Sequence, residues 1–231
     1  MIFFVTRGLL TKSYNPVFSK NEWAAIIEAC HANEVPDEWV ADGSCYKDML
    51  INGTNYRVDI IGKNHDDLSD GTGKAPLTFQ LHDCYDEKKQ MNSSNTNSGG
   101  WTNCAMRSTH LPAILNLMPA EVKAAIREVQ KKTSAGNKSS SIQTTNDKLF
   151  LLSEIEIFGS TVYSFAGEGT QYAYYQAGNS KVKNLSGGAN YWWERSPQSS
   201  HSAAFCRVHS NGTANANTAS FSYGVPFCFC F

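Results

Sequence analysis

Across residues 184–231 only Glu194, Arg195 and Arg207 carry a charge. That stretch must fold on apolar and uncharged polar chemistry, and its local signals are those of strands and turns. Asn211-Gly212 separates residues 204–210 from 213–222, and Asn-Gly is the strongest two-residue hairpin signal because the tight turn needs φ > 0. Residues 225–231 read as a closing strand, with Phe227, Phe229 and Phe231 on one face and Cys228 and Cys230 on the other. Pro226, near its start, suits an edge or a bulge. Tyr191, Trp192, Trp193, Phe205, Phe221, Tyr223 and the three closing phenylalanines are interleaved with Asn, Ser, Thr, Ala, Gly and His. Rigid rings among short hydrogen-bonding side chains make a binding surface at low entropic cost. The competing reading is a β core with polar turns.

The rest of the chain supplies helices and further strands. Ser19-Lys20-Asn21-Glu22 has the form of a capping box, and Trp23, Ile26, Ile27 and Cys30 follow at helical spacing to about Asn33. Pro36 and residues 37–44 break that pattern. They divide an N-terminal helical attachment or packing segment, 1–44, from a domain over 45–231. Asn52-Gly53 predicts a hairpin between residues 48–51 and 54–61. Leu77, Phe79 and Leu81 alternate with polar residues, as in a half-buried strand. Residues 101–118 have helical spacing, and Pro119 suits the first position of another helix. The Ser/Thr/Gly-rich residues 133–146 are expected to form a long surface loop. Residues 149–152 suit a buried strand, Ser153-Glu154-Ile155-Glu156 a helix start, and residues 171–177 a short helix. No internal repeat and no regular strand–helix alternation occur, so the predicted class is α+β with antiparallel pairing.

Composition excludes several functions. The 231 residues carry a net charge of −1, which gives no field to hold a phosphate backbone, so no nucleic-acid partner is expected. Residues 1–10 lack the pattern of a signal peptide, and no apolar run approaches a membrane span, so no membrane insertion is expected. The seven cysteines include no Cys-x-x-Cys pair, and read as free thiols made in a reducing compartment.

Several side-chain groupings invite chemistry. Cys206 and His209 face opposite sides of a strand, which argues against a nucleophile–base pair. Asn64, Asp66, Asp67 and Asp70 lie on one loop and offer the oxygens that calcium takes, though without EF-hand spacing; the alternative is a solvated Asx turn. No other cofactor is indicated. His82, Asp83 and Cys84 are adjacent on a strand, so only His82 and Cys84 share a face as metal ligands. Gly167-Glu168-Gly169 and Gly71-Thr72-Gly73-Lys74 lack phosphate-loop spacing. Glu154 and Arg195 sit beside apolar runs, need partners, and are expected to pair with each other.

The run Leu149-Phe-Leu-Leu-Ser-Glu-Ile-Glu156, then Tyr191-Trp-Trp-Glu-Arg-Ser-Pro197, Phe205-Cys206, Gly212 and Gly224-Val225, resembles a domain-of-unknown-function family of gut Firmicutes and their prophages. That family is similar to the C-type-lectin fold in its formylglycine-generating-enzyme-like branch, and to the variable proteins of diversity-generating retroelements. The resemblance covers roughly residues 45–231. It implies a C-type-lectin-like, non-enzymatic ligand-binding domain with a variable region at about 190–231. Such a protein is made in the bacterial cytoplasm and displayed on a phage tail, virion or cell surface, where its partner is a host-surface protein or glycan. The paired-cysteine site of the oxidases is not found, so an oxidase is the least favoured rival; a structural virion protein is the other. On this reading Gln198, His201, Arg207, His209, Asn215, Asn217, Phe221 and Tyr223 bind ligand. They should be mostly exposed on one surface, with Trp192, Arg195 and Phe229 buried.

Overall fold

The computed structural model describes residues 14–231; the signal-peptide expectation, on residues 1–10, lies outside them. Helix α1 (Trp23–His31) buries Trp23, Ile26, Ala29 and Cys30. The indole of Trp23 meets Phe79 and Phe231 edge-on, with centroids 5.9 and 6.0 Å away. Its N-terminus corrects the capping expectation. Residues Phe18–Lys20 form a 3-10 turn, which carries Ser19 away from the helix, and Glu22 occupies the cap without a side-chain hydrogen bond. Asn21 acts instead as a loop clasp, its amide nitrogen donating to the carbonyls of Asn15, Val17 and Phe18.

Strands β1 (Tyr46–Ile51) and β2 (Thr54–Lys63) form the first predicted hairpin. Asn52 and Gly53 both have positive φ, 46° and 82°, as a type I′ turn demands. Strand β3 (Leu77–Leu81) pairs with β2, and its far edge is taken by the final strand, so the sheet order continues across sequence-distant elements. All five β3 residues are buried, against the half-buried expectation. Phe79 lies under α1, while Gln80 on the other face accepts a 2.6 Å hydrogen bond from the Tyr175 hydroxyl. Strand β4 (Lys89–Gln90) is a short outlying piece.

The helical stretch is broken in three. Helix α2 (Gly100–Asn103) and a π turn (Met106–His110) lead into α3 (Leu111–Leu117), which carries Pro112 in its first turn. Helix α4 (Ala120–Ala125) follows, with Pro119 at its cap, one position earlier than expected. Strands β5 (Val129–Gly136) and β6 (Ser139–Asp147) then form a hairpin where a surface loop was expected. The inward residues of β5 include Lys131, Thr133 and Ser134, and β6 is largely exposed, so no apolar alternation marks either strand. Residues 149–152 are buried but form no strand; Phe150 makes a single bridge to Cys228. Helix α5 (Glu154–Phe158) opens with the predicted capping box between Ser153 and Glu156, and α6 (Ala173–Gln176) is the expected short helix.

The tail begins with the small hairpin β7 (Lys183–Leu185) and β8 (Gly188–Asn190). Strands β9 (Trp192–Pro197), β10 (Ala204–Val208) and β11 (Ala214–Thr218) form an antiparallel sheet with β10 central. The turn after β10 is the predicted one, closed by His209 N–H donating to the Thr213 carbonyl, with Gly212 at φ 84°. Strand β12 (Ser222–Tyr223) pairs with β4. Strand β13 (Cys228–Cys230) pairs with β3 and is bridged on its other side by Phe150 and Arg127. It is therefore interior, not an edge. Pro226 lies ahead of it, and the Pro226 carbonyl accepts from the Gln80 amide. Phe229 stacks on Phe79 at 5.0 Å, and Trp192, Arg195 and Phe229 are all fully buried as expected. The architecture is α+β with antiparallel strands in small sheets.

Candidate functional site

Two arginines leave the tail sheet in opposite chemical surroundings. Arg195 enters the core. Its guanidinium donates to both Glu156 oxygens, at 2.5 and 2.9 Å, and to the carbonyls of Leu151 and Glu168. Glu156 also takes Lys131 Nζ at 2.7 Å, and Lys131 donates equally closely to Asp66. Two cations thus face two carboxylates in a dry interior, with the Tyr172 hydroxyl closing onto Asp66. Burial works to raise the Asp66 pKa, but the charge and hydrogen bond of Lys131 outweigh it and hold that carboxyl down at about 2. Arg195 is raised above its ordinary value, since Glu156 outweighs the cost of its burial.

The expected Glu154–Arg195 pair does not form. Glu154 turns toward residues 162–164 and accepts their backbone N–H groups and the Ser164 hydroxyl. Glu156, at the third helical position, curls back over the cap and meets Arg195. The calcium reading meets the same network. Asp66 is committed to Lys131, Asp67 pairs with Lys74 at 2.8 Å, and Asp70 pairs with Arg127 at 2.6 Å. The loop's three carboxylates already have protein cations.

Arg207 has a different environment. It lies on the same face of β10 as Phe205, since the β10–β11 register runs unbroken and the irregularity falls in β9 opposite residues 205–207. Its guanidinium carbon sits 4.1 Å from the Tyr191 ring centroid and 4.3 Å from that of Tyr223, so two neighbouring rings, their centroids 5.5 Å apart, pack against it. Nε donates to Asn215 Oδ1 at 3.2 Å. Arg207 has no carboxylate partner among the described residues. Burial lowers its pKa from the ordinary value.

Around this cradle the predicted residues join by direct contact. The Tyr191 hydroxyl lies 3.0 Å from His209 Nε2. Asn217 donates to the Tyr223 hydroxyl at 2.6 Å, and Phe221 is stacked beside Tyr223 with the rings 8° from parallel. Arg207, His209, Asn215, Asn217, Phe221 and Tyr223 are therefore one connected patch. Gln198 and His201 stand apart at the other end of β10, in the loop where Gln198 N–H donates to the Ala204 carbonyl. The expected exposure needs correction. Phe221 and His201 are exposed, and Gln198, His209, Asn215, Asn217 and Tyr223 are half-buried. Arg207 is only 8% exposed, because the two tyrosines cover it. Ala204 and Cys206, on the opposite side of the strand, are buried as well.

Two residues of this region were not among the predicted ligand-binding residues. Tyr191 supplies one wall of the cradle; its place beside Trp192 in an aromatic run hides it as core. Asn97, from the loop before α2, is fully buried, and its amide donates to the His201 and Ala204 carbonyls at 2.9 and 2.7 Å. Its carbonyl crowds Gly136, where a Cβ would lie 1.7 Å from that oxygen at φ 70°. Asn97 thereby locks the β5–β6 hairpin to the tail sheet.

The other groupings resolve into structure. The Cys206 thiol is pushed well above its ordinary pKa by burial, while His209 is engaged with Tyr191. His82 Nδ1 lies 2.6 Å from the buried Asp59 carboxylate. Among the described residues no group of three or more His, Cys, Asp or Glu side chains is placed to hold a metal ion. Their seven cysteines are all free and buried, and no helix is long and apolar enough to cross a membrane.

With this geometry in place, comparison of the sequence with known families gives a match over residues 75–231, which takes in the β3–β13 pairing, the core network apart from Asp66, and the whole tail sheet. The chain belongs to the family described as Domain of unknown function (DUF6273). No curated protein and no solved structure matches it.

Proposed function

We propose that this protein is a non-enzymatic ligand-binding domain. Its tail displays variable residues on a C-type-lectin-like scaffold, and it serves as a retroelement-diversified receptor-binding protein of a phage tail, prophage product or cell surface. One observation carries the reading: six residues of the tail, Arg207 among them, form a single connected patch mounted on a sheet whose strands β9 and β10 are buried. Changes at the half-exposed positions of β11 and at Phe221 leave the Arg195–Glu156 network untouched, which is what a surface open to sequence variation requires. The fold's small antiparallel sheets joined by long loops suit the lectin-like comparison.

The test has a genetic and a binding arm. The DNA beside the gene should hold a near-copy of its 3′ end next to a reverse transcriptase, with differences at adenines falling in codons 190–231. Fluorescently labelled full chain should bind intact cells of some gut bacteria, and Phe221→Ala combined with Asn217→Ala should abolish that binding without changing the melting temperature. Undiminished binding by the folded double variant would refute the assignment of this patch.

A further inference from the structure

We infer that the Arg207 cradle is a receptor for a carboxylate carried on a sugar ring, so that the ligand of the patch is an acidic glycan; this rests on the ligand-binding reading above. The argument starts from an uncompensated cation. A guanidinium removed from water is costly unless it is paired, and Arg195 shows the paired solution within the same sheet. Arg207 is nearly as buried, yet no carboxylate among the described residues answers it. Tyr191 and Tyr223 flank it and Asn215 holds Nε. Arg207 keeps a small solvent-exposed surface, and none of its nitrogens is buried without a partner. Two rings packed against the guanidinium and the Asn215 bond at Nε restrict its rotation, and a guanidinium fork receives a planar carboxylate in two parallel hydrogen bonds.

The charge count favours a monoanion. Lys89, on the strand paired with Tyr223, is already bonded to Glu87. Among the described residues the cradle itself holds one cation, which matches one carboxylate and leaves a phosphate dianion undercompensated. The backbone argues against an extended acidic peptide. β11 is the outer strand of its sheet and would be the place for a peptide to add. Its outward N–H groups at Ala216 and Thr218 are already taken by the Asn215 and Asn217 side chains, at 2.8 and 2.7 Å. What remains open beside the cradle is the Phe221 ring, more than half exposed, which offers a flat apolar face to the C–H side of a sugar.

The experiment uses the full chain with trigalacturonate and 3′-sialyllactose as probes, their methyl esters as uncharged controls, and inorganic phosphate and hexaglutamate as rivals, read by saturation-transfer NMR and calorimetry. At least one acidic sugar should bind, with its ester roughly tenfold weaker or worse. Arg207→Gln should abolish binding and Arg207→Lys should weaken it about tenfold, since lysine keeps the charge and loses the planar fork. Melting curves of both variants establish that they are folded. The inference is overturned if neither acidic sugar binds, if acid and ester bind alike, if folded Arg207→Gln binds like the parent, or if phosphate or hexaglutamate binds more tightly than both sugars. Cell binding that persists under any of these results would leave the ligand-binding reading standing; loss of cell binding sensitivity to Phe221 and Asn217 would remove that reading instead.

Discussion

Arg195 and Arg207 are twelve positions apart in one sheet, and they solve the burial of the same group in opposite ways. Arg195 is matched charge for charge by Glu156 and held by main-chain carbonyls from two other segments. Arg207 is held by ring faces and one neutral amide. A matched buried ion pair ties distant parts of a chain into one arrangement, and removing one partner strands the other. A cation held by rings is positioned without being neutralised. The first arrangement ties the molecule together; the second leaves a cation in place without a carboxylate partner among the described residues.

The contrast can be broken most severely by removing the tail. A chain truncated after Asn184 loses the cradle, Arg195 and β13 together, and leaves β3 unpaired on one side. It should be insoluble or lack a cooperative melting transition by calorimetry. A soluble fragment of residues 45–184 that melts cooperatively would contradict the architecture. Next in size is the pair itself. Arg195→Ala should cost about 3–5 kcal/mol in denaturant unfolding, and Glu156→Gln should lose more than Glu154→Gln, whose partners are neutral N–H groups.

Acid should separate the two regions more gently. Burial raises the Glu168 carboxyl to about 6, and Glu194 lies well above its ordinary value for the same reason. The folded state therefore binds more protons than the unfolded one between about pH 4.5 and 6, and stability falls as pH rises through that window. Acidification from pH 7 to 5 should stabilise the protein through these two glutamates, opposed in part by His65 and His110, whose pKa values burial lowers. Below pH 4 the sign reverses, because Asp66 keeps its charge down to about 2 in the fold and loses it earlier when unfolded. Melting temperatures across pH 3–7 check both limbs, and Glu194→Gln should flatten the upper one. The smallest effect belongs to Arg207→Gln, which should change stability by no more than about 1 kcal/mol, because no carboxylate among the described residues is stranded by its loss. A loss comparable to that of Arg195→Ala would erase the distinction between the two arginines.

Sequence revealed those elements whose local chemistry agrees with their place in the fold. The Asn52-Gly53 and Asn211-Gly212 turns, the capping box at Ser153 and the Phe/Cys alternation of β13 are of this kind. The β5–β6 hairpin was hidden because its inward face is built from Lys131, Thr133 and Ser134, whose partners lie far away in sequence. A buried lysine satisfied by Asp66 and Glu156 leaves no hydrophobic period to read. The partner of Arg195 was missed by two positions, since only the helical geometry of α5 decides which glutamate turns inward. The patch around Arg207 was legible as residue types, while Gln198 and His201 lie in the loop between β9 and β10, beyond the row of Pro197, Phe205 and Asn217 rather than beside Arg207.

The pairing of β13 with β3 also sets the tempo of folding. Gln80 and Pro226, joined by a hydrogen bond, are 146 residues apart in sequence. A ribosome must therefore release almost the whole domain before the strand that completes the central sheet can reach its neighbour. Until then β3 keeps an open edge and Phe79 lacks its stacking partner, so the nascent chain presents an unpaired apolar strand. Long-range closure of this sort is slow. The growing polypeptide therefore needs shielding through most of its synthesis.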